Sequence, residues 1–390
     1  MKKKILFIEL CNYTDYPTGG HLSFALHMLG AFKNDLKLVG ICTEDNCEIG
    51  KWSEKTIENV TYEYFCVANV KKSAKKPLIP GRVTAYFQIK KYIKKILKTE
   101  YDHILIQTPE VLFAIPKKYL SKTCLIMPGI ENPLHISRYK FARMFADIYD
   151  WAFFRKAQYA SVILAAADNK ALASFVERSK GKISADKAHQ FPTRYDATIF
   201  KVKDKTLLRQ KYGIDSNTIL YVTVGRLNWF KGWKFMIDCL CKLENPQAKL
   251  IFIGDGEDEQ KIRDYIKEVG KEDRVQLLGR KTLDVIADYL NMADAFIMGS
   301  YKEGWSTALV EAVACGTPCV VTEFSSAEDM IENGVNGWVV KDRNEDEFTQ
   351  RLKDILQLDK AEISKKAKEI SVLSVQNMRE QFLLYTGWNE

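Results

Sequence analysis

The sequence lacks a long hydrophobic run, a regular cysteine framework and both of the common nucleotide-binding fingerprints. No apolar run approaches the roughly 20 residues that span a bilayer. The apolar stretch Ile5–Ile8 is too short for a secretory signal, because Glu9 ends it. The nine cysteines follow no regular spacing, which favours a reducing compartment. We therefore predict a cytoplasmic protein. Its sequence contains neither a P-loop nor a complete dinucleotide fingerprint.

Metal-binding patterns are equally scarce. Cys239 and Cys241, like Cys315 and Cys319, have no nearby histidine or second cysteine pair at zinc spacing. No cluster of carboxylates suited to a metal stands out, so we expect no metal site. Five histidines are interpreted as structural or surface residues: His21, His27, His103, His135 and His189.

Charge is distributed unevenly along the chain. Residues 1–200 carry 31 lysines and arginines against 19 acidic residues, a net charge of +12. The rest of the chain carries 27 against 31, a net charge of −4, and the two parts sum to +8. The basic first half indicates an anionic surface or an anionic acceptor as its partner.

At 390 residues the chain is long enough for two domains. Short apolar runs alternate with helical patterns, which is typical of parallel α/β sheets. Strands are predicted at residues 4–9, 36–42, 103–107, 123–127 and 161–165, and at 219–224, 249–253, 274–278, 295–298 and 318–321. Each half therefore resembles a doubly wound sheet, with the boundary between Gln190 and Lys205. Because ligands bind beyond the carboxyl ends of such strands, two facing sheets would form a cleft that holds one substrate on each side.

The strongest local motif runs from Glu303 to Glu311. Glu303 lies on the loop before an apolar helix, and Glu311 lies within that helix among Ala, Leu and Val. A carboxylate there is costly unless it accepts hydrogen bonds, and the vicinal hydroxyls of a ribose are suitable donors. The free amides at the helix start, from Trp305 to Thr307, suit an anion or a polarised sugar oxygen. The structural alternative is a solvated Glu303 and a Glu311 paired with a local base.

The second motif follows the predicted strand at residues 219–224. Arg226 offers a planar fork for phosphate oxygens, and Lys231 offers a point charge. Together they could neutralise a diphosphate as it leaves. The alternative is that both are ordinary surface cations at the end of a strand.

Two glycine-rich turns complete the set. Gly254-Asp255-Gly256 follows a predicted strand and permits a tight turn and the close approach of a ligand. Gly19 and Gly20 precede a predicted helix, where their amides could contact a phosphate, although a plain tight turn explains them equally well. His21 follows directly, and its place on this loop leaves contact with a ligand open.

In this order and spacing, the four segments resemble those of family 4 glycosyltransferases, a large group of retaining enzymes with the GT-B fold. The resemblance covers nearly the whole chain and is most specific in residues 219–340, which include Asn333-Gly334-Val335-Asn336-Gly337-Trp338. Residues 191–200 also look like the family's interdomain Pro-Asn-Gly-Val-Asp segment, with Thr193 and Arg194 in place of Asn and Gly.

The resemblance implies an α/β protein made of two doubly wound, Rossmann-like domains that face each other across a cleft. Residues 1–195 would form the acceptor-side domain, and residues 200–371 the nucleotide-sugar domain. A C-terminal helix at about residues 372–390 would pack back on the first domain, and its Trp388 could anchor it.

The resemblance also implies roles for the motif residues. Arg226, Lys231 and Glu303 would form the catalytic set: the two cations hold the donor diphosphate, and Glu303 contacts hydroxyls of the donor sugar. Glu311 would bind the ribose. The residues expected to bind the donor are Gly19, Gly20, Gly225, Gly254, Arg280, Gly304, Trp305, Ser306, Thr307 and Glu311.

Two departures from the family pattern limit what the resemblance implies. The family commonly has Glu-Gly-Phe-Gly-Leu-Pro where this chain has Glu-Gly-Trp-Ser-Thr-Ala, so Trp305 and Ser306 are expected to alter the sugar pocket. Many members have a histidine near the end of the strand at residues 123–127. Here that histidine is absent, and Glu131 or Asn132 is the candidate to replace it.

The sequence therefore predicts a metal-independent, retaining glycosyltransferase of the hexosyltransferase type, without a cofactor. Its donor would be a nucleotide sugar, with a UDP-sugar as the first expectation, and its acceptor a glycan or a lipid-linked sugar. Bacterial surface polysaccharide synthesis is the expected setting. One alternative is another GT-B enzyme, such as an epimerase or a phosphorylase. A non-catalytic nucleic-acid binder is the other, but no nucleic-acid motif accompanies the basic half.

Residues 87–98 form a basic amphipathic pattern, with Ile89, Ile93, Ile96 and Leu97 on one face and five lysines elsewhere. Together with Lys71, Lys72, Lys75 and Lys76, this segment could lie on the anionic inner face of a membrane and meet a lipid-linked acceptor. The alternative is a solvated outer helix of the first sheet.

Overall fold

The computed structural model describes residues 3–17, 20–44, 47–72, 81–135 and 140–388. It divides into two compact units, one made of residues 1–192 and 378–390 and the other of residues 193–377. The predicted domains were residues 1–195 and 200–371, with a C-terminal helix from about residue 372. In the structure, the chain enters the second unit at Thr193 and returns to the first unit at Met378.

The first unit contains an eight-stranded sheet in the order β3-β4-β2-β1-β5-β6-β7-β8. Its strands are β1 (Ile5–Ile8), β2 (Leu36–Cys42), β3 (Trp52–Ile57), β4 (Val60–Asn69), β5 (His103–Ile106), β6 (Thr123–Met127), β7 (Val162–Ala165) and β8 (Ala188–Gln190). Its helices before the second unit are α1 (Gly20–Phe32), α2 (Gly81–Ile96), α3 (Lys117–Leu120), α4 (Ala146–Ala157) and α5 (Asn169–Arg178). All neighbouring strands are parallel except β3 and β4.

The β3–β4 hairpin and the short strand β8 were not predicted. The polar strand β3 is largely exposed, so it has none of the continuous apolar character of a strand buried on both faces. Glu58 and Asn59 connect it to β4 with φ angles of 46° and 65°. Such a two-residue turn usually contains glycine, and its absence here removed the strongest signal for a hairpin.

Helices cover both faces of the first sheet. Side chains of α2, α4 and α5 pack on one face, for example Ile89, Phe153 and Phe175. The other face is covered by α1 and by the C-terminal helix, Met378–Thr386. Trp388 follows this helix, is buried and stacks on His103 with 4.0 Å between ring centroids, so it anchors the chain end as expected.

The second unit contains a fully parallel six-stranded sheet in the order β11-β10-β9-β12-β13-β14. Its strands are β9 (Ile219–Val224), β10 (Ala248–Ile253), β11 (Val275–Leu277), β12 (Ala295–Met298), β13 (Cys319–Thr322) and β14 (Gly337–Val340). Its helices are α6 (Lys205–Tyr212), α7 (Trp233–Lys242), α8 (Glu259–Glu268), α9 (Leu283–Met292), α10 (Thr307–Ala314), α11 (Ala327–Met330), α12 (Glu345–Asp354) and α13 (Lys360–Glu369). The strand order reverses between β9 and β12, which makes that point the expected ligand-binding crevice of the sheet.

Residues that follow the unit boundary pair with residues near the end of the second unit. Arg194 is fully buried, and its guanidinium donates a hydrogen bond of 3.0 Å to the carbonyl of Val372. The amide of Tyr195 donates to the carbonyl of Leu373, and the amide of Val375 donates to Tyr195. These bonds hold residues 372–377 in the second unit, which is why the C-terminal helix starts later than predicted.

The segment predicted to contact a membrane forms most of α2, but its apolar face is part of the core. Ile89, Ile93 and Ile96 are buried against the first sheet. These three residues therefore cannot insert into a bilayer, and α2 is an outer helix of the sheet, the alternative stated above. Lys72 forms an ion pair with Asp15, and Lys75 and Lys76 lie outside the described residues.

Two further features concern the cysteines and the membrane. Cys42 and Cys47 form a disulfide that their spacing did not predict, whereas the other seven cysteines are free. The reducing compartment thus stays a prediction. Among the described residues, no helix combines the length and the apolar character that a bilayer span requires.

Candidate functional site

The loops that follow β9 and β12 meet at the switch point of the second sheet. The amide of Tyr301 donates a hydrogen bond of 2.9 Å to the carbonyl of Phe230. A Cβ atom on Gly232 would lie 1.8 Å from the carbonyl oxygen of Gly299, and Gly232 has a φ of +68°. Only glycine permits both this backbone conformation and this approach. The loop that carries Arg226 and Lys231 and the loop that carries Glu303 are therefore neighbours in the structure, although they are far apart in the sequence.

Lys231 and Glu303 form an ion pair across these two loops. The distance from Lys231 Nζ to Glu303 Oε1 is 2.5 Å, and the side chains are 31% and 14% exposed. The hydroxyl of Ser300 donates a hydrogen bond of 2.7 Å to the same carboxylate oxygen. Partial burial makes such a pair stronger than one at the open surface, because less water screens it. Two of the three predicted catalytic residues thus contact each other directly.

Arg226 is the third member of the predicted catalytic set. It comes directly after Gly225, the residue that follows β9, and its side chain is exposed. Within the described residues its guanidinium has no hydrogen-bond or ion-pair partner. A free guanidinium close to a neutralised lysine leaves the edge of the sheet with an excess of positive charge, which suits an anion.

A shallow, open pocket lies at this edge of the second sheet. Its lining includes Gly225, Arg226, Lys231, Trp233, Met298 and Ser300. Gly254 borders the same loops, because a Cβ atom there would lie 1.9 Å from the carbonyl oxygen of Gly225. The amide of Gly254 also donates a hydrogen bond of 3.0 Å to the carbonyl of Gly279, which precedes the exposed Arg280.

Glu311 has the most perturbed carboxyl group near the motifs. Its side chain is half-buried in α10, and the described residues provide no hydrogen-bond partner for it. Burial raises the pKa of this carboxyl from 4.5 to about 8, because the charged form loses hydration. A structural role by pairing with a local base, the alternative from the sequence, is therefore wrong for this residue. The site instead offers a carboxyl without a hydrogen-bond partner among the described residues.

The start of α10 is built from Ser306. Its hydroxyl accepts a hydrogen bond of 3.3 Å from the amide of Leu309, and its amide donates one of 3.2 Å to the hydroxyl of Ser326. Thr307 lies 3.4 Å from Thr193 between their hydroxyl oxygens. The indole nitrogen of Trp305 is buried and has no hydrogen-bond partner among the described residues. The segment that follows exposed Gly304 is thus hydrogen-bonded at several points, and the indole N–H is a donor without an acceptor in the described part of the chain.

Sequence reasoning missed Arg343, which braces the two loops. Its guanidinium stacks 3.8 Å from the ring centroid of Tyr301 and 4.4 Å from that of Phe235. It also donates a hydrogen bond to the carbonyl of Gly299. No motif surrounds Arg343 in the sequence, and its φ of +52° is the one unusual feature that the structure adds.

The first unit has a polar cluster at its own switch point, between β1 and β5. Glu9 is buried, and the hydroxyl of Thr108 lies 3.1 Å from both of its carboxylate oxygens. Nδ1 of His21 lies 3.5 Å from Glu9 Oε1. His21, interpreted as structural from the sequence, thus lies at the edge of the sheet where a ligand is expected in such folds. Gly20 begins α1 directly before it, and Gly19 lies outside the described residues.

The two candidates to replace the family's histidine differ in their surroundings. Asn132 is buried and fully engaged: its amide group donates a hydrogen bond of 2.8 Å to Ala146 and accepts one of 2.9 Å from Leu134. Glu131 is exposed. The contacts of Asn132 thus support its loop, and the replacement of the family's histidine by Glu131 or Asn132 stays a prediction.

No group of three or more His, Cys, Asp or Glu residues in the described ranges is arranged to hold a metal ion. Metal independence of the reaction stays a prediction, because a substrate-bound ion needs fewer protein ligands.

Comparison with known proteins adds a family match and a fold. Residues 204–371 match the family model described as "Glycosyl transferases group 1". The N-acetyl-alpha-D-glucosaminyl L-malate synthase of Bacillus anthracis is 30% identical over 145 residues, which is 37% of this chain and 38% of that protein. The chain thus matches less than half of this curated relative's length.

Two solved structures resemble nearly the whole chain. Sucrose-phosphate synthase from Thermosynechococcus elongatus has a TM-score of 0.74 at 15% identity, covering 99% of this chain and 98% of that one. HepE from Anabaena, solved in complex with UDP-glucose, has a TM-score of 0.69 at 19% identity, covering 99% of each chain. These likenesses confirm the predicted fold class, GT-B with two Rossmann-like domains.

Proposed function

We propose, on the premise that residues 204–371 belong to the glycosyl transferases group 1 family, that the whole chain is a retaining glycosyltransferase. It moves a hexose from a nucleoside-diphosphate donor to a glycan or a lipid-linked acceptor. The observation that carries this proposal is the meeting of Arg226, Lys231 and Glu303 at the switch point of the second sheet.

The donor binds along the edge where β9 and β12 end. Its diphosphate lies against the unpaired guanidinium of Arg226 and the ammonium of Lys231. Its ribose hydroxyls donate hydrogen bonds to Glu311, whose carboxyl has no partner in the described part of the chain. A UDP-sugar is the preferred donor, since a protein of the same fold was solved with UDP-glucose.

In the donor-free protein, Glu303 neutralises Lys231. When the donor binds, the diphosphate competes for this ammonium, and Glu303 becomes free to accept hydrogen bonds from hydroxyls of the sugar. The predicted roles of Lys231 and Glu303 are thereby linked, because Glu303 is released when the diphosphate binds Lys231. Ser300 keeps one oxygen of Glu303 in place through its hydroxyl.

The reaction breaks the bond between the anomeric carbon and the donor phosphate oxygen, and forms a bond from that carbon to the acceptor oxygen on the same face. The proton of the acceptor hydroxyl passes to the leaving phosphate oxygen. Arg226 and Lys231 stabilise the negative charge that develops there, and such preorganised electrostatics is usually the largest catalytic term. Retention at the anomeric carbon is inferred from the family resemblance.

The acceptor and the biological setting are inferred from the charge of the first unit. The basic first unit favours an anionic or lipid-linked acceptor, and bacterial surface polysaccharide synthesis fits such an acceptor. Gly20 and the Glu9–His21 cluster lie at the carboxyl edge of the first sheet, where that acceptor is expected to bind.

The test is the release of UDP from UDP-glucose by purified Arg226→Ala and Glu303→Gln variants. Each should lower the rate by about a hundredfold or more, as the loss of a key electrostatic contact does. Arg263→Ala and Glu268→Gln, which change exposed residues of α8, serve as matched controls. Wild-type rates in both site variants would refute the assignment.

A further inference from the structure

Two large aromatic side chains are exposed at the edge of the second sheet where the donor is proposed to bind. Trp229 is 61% exposed and Tyr301 is 52% exposed, and their ring centroids lie 5.4 Å apart. Trp229 belongs to the loop after β9, and Tyr301 belongs to the loop after β12. We call these two rings the aromatic platform. Because covering apolar rings that contact water is favourable, adjacent exposed rings indicate a binding surface.

The core of the second unit supports one ring of the platform. The guanidinium carbon of Arg343 lies 4.4 Å from the ring centroid of buried Phe235 and 3.8 Å from that of Tyr301. The guanidinium thus connects a buried ring to an exposed one. The amide of Tyr301 also donates a hydrogen bond of 2.9 Å to the carbonyl of Phe230. Tyr301 is therefore held in place although half of it is exposed.

The other ring lies on a short, closed turn, Trp229–Lys231. The side chain of Asn228 accepts a hydrogen bond of 3.2 Å from the amide of Lys231, and the carbonyl of Trp229 accepts one of 3.0 Å from the amide of Gly232. Both ends of the turn are thus fixed. A ligand that contacts the platform therefore loses little free energy in ordering the rings, because the loops that carry them are already held.

The platform adjoins the ion pair of the candidate site. Trp229 comes two residues before Lys231, and Tyr301 comes two residues before Glu303. In the proposed function, Lys231 binds the diphosphate and Glu303 binds hydroxyls of the hexose. Glu311, which would bind the ribose, lies within α10, eight residues after Glu303. The rings are therefore associated with the hexose end of the donor rather than with the nucleobase end.

We infer that the aromatic platform stacks on the hexose ring of the nucleotide-sugar donor. The inference rests on the proposed function and adds a hexose subsite that the motif residues do not include. A pyranose ring has C–H groups on its faces and hydroxyls around its rim. The C–H groups suit the negative face of an aromatic ring, and the rim hydroxyls stay free to donate to Glu303. Because Glu303 would repel a carboxylate, the ligand class is a neutral hexose on a nucleoside diphosphate.

The experiment measures the affinities of the full chain for UDP, UDP-glucose, UDP-galactose and UDP-N-acetylglucosamine by isothermal calorimetry. The ratio between a UDP-hexose and UDP isolates the contribution of the hexose, because the nucleotide is common to both. Trp229→Ala/Tyr301→Ala should lower the affinity for the tightest-binding UDP-hexose by about tenfold or more, and should leave the affinity for UDP within about twofold of the wild type. Trp229→Phe/Tyr301→Phe keeps two rings and should retain most of the hexose contribution.

Trp151→Ala is the matched control, because Trp151 is 55% exposed on α4 of the first unit. It should keep the wild-type affinities for UDP and for each UDP-hexose. Since the platform rings are exposed, the alanine double variant should also melt near the wild-type temperature. If the double variant does not fold, Trp229→Ala alone provides the same comparison with a smaller loss.

An unchanged affinity ratio in the alanine variant overturns the inference and leaves the proposed function standing. An equal loss of affinity for UDP and for the UDP-hexose also overturns it, because the rings would then contact the nucleobase or support the loops. So does a dimer in solution that the alanine variant dissociates while the hexose contribution persists. If the wild type bound neither UDP nor any of the three UDP-hexoses, the proposed donor would be wrong, and this inference with it.

Discussion

Replacing Glu311 by glutamine is expected to stabilise the donor-free protein at neutral pH and to weaken donor binding. The carboxyl lies in α10 without a hydrogen-bond partner in the described residues, and burial raises its pKa to about 8. In the unfolded chain the same group has a pKa of 4.5. The folded protein must therefore hold a proton that the unfolded chain releases between these two pH values.

The sign and the size of the effect follow from this difference. A group whose pKa is higher in the folded state contributes its stability fully below pH 4.5, and that contribution is lost as the pH rises towards 8. The loss is about 1.4 kcal/mol for each pH unit, or about 3 kcal/mol at pH 7. Glutamine has nearly the same shape and does not titrate, so Glu311→Gln removes this loss.

Urea unfolding at pH 5, 7 and 8 measures the effect, with Glu268→Gln on the exposed side of α8 as the control. The variant should gain stability over the wild type as the pH rises, whereas the control should show no trend. In calorimetry with buffers of different ionisation enthalpy, wild-type UDP binding should release protons at pH 7, because ribose hydroxyls favour the charged carboxylate. A stability difference that is the same at all pH values would refute the reasoning.

Three further predictions concern the loops and the chain end. Gly232→Ala should unfold the protein or abolish donor binding, because its Cβ atom would meet the carbonyl of Gly299. The control is Gly270→Ala, which has a similar φ and open space around it. It should lower the free energy of unfolding, measured by thermal denaturation, by only about 1 kcal/mol. Arg343→Lys keeps the charge but loses the planar stacking, so KM for the donor should rise with little change in overall stability. Burial lowers the pKa of His103 to about 4, so the melting temperature should fall as the pH drops from 6.5 towards 4, and His103→Gln should reduce that fall.

Much of both sheets is predictable from the sequence, because parallel strands buried on both faces read as short apolar runs. Ten of the fourteen strands correspond to such runs, for example β2 and β9, whose predicted and observed bounds coincide. Three of the four missed strands have a weak signal: polar β3 lies at a sheet edge, β8 is only three residues long, and β14 begins with a glycine. The fourth, β4, contains the buried apolar run Phe65–Val67 but was not predicted.

The site was predictable in its members but not in its contacts. The order of motifs indicated Arg226, Lys231 and Glu303, yet nothing in the sequence showed that Lys231 and Glu303 pair, because 72 residues separate them. That contact depends on β9 and β12 being neighbours, which is set by sheet topology. Arg343 and the Glu9–His21 cluster depend on tertiary packing in the same way. The amphipathic pattern predicted from the sequence is present in α2. The sequence could not show whether its apolar face packs on a sheet or on a membrane, because either surface buries such a face.

The most direct test of the central claim is titration of the full chain with UDP, GDP, ADP and dTDP and their glucose conjugates, followed by isothermal calorimetry. We predict that one nucleotide series binds a single site per chain, and that Arg226→Ala weakens this binding by about tenfold or more through loss of a charge-assisted contact. If the folded protein bound none of these nucleotides, or bound one with the same affinity after Arg226→Ala and Lys231→Ala, a diphosphate would not lie at the edge of the second sheet, and the account would be contradicted.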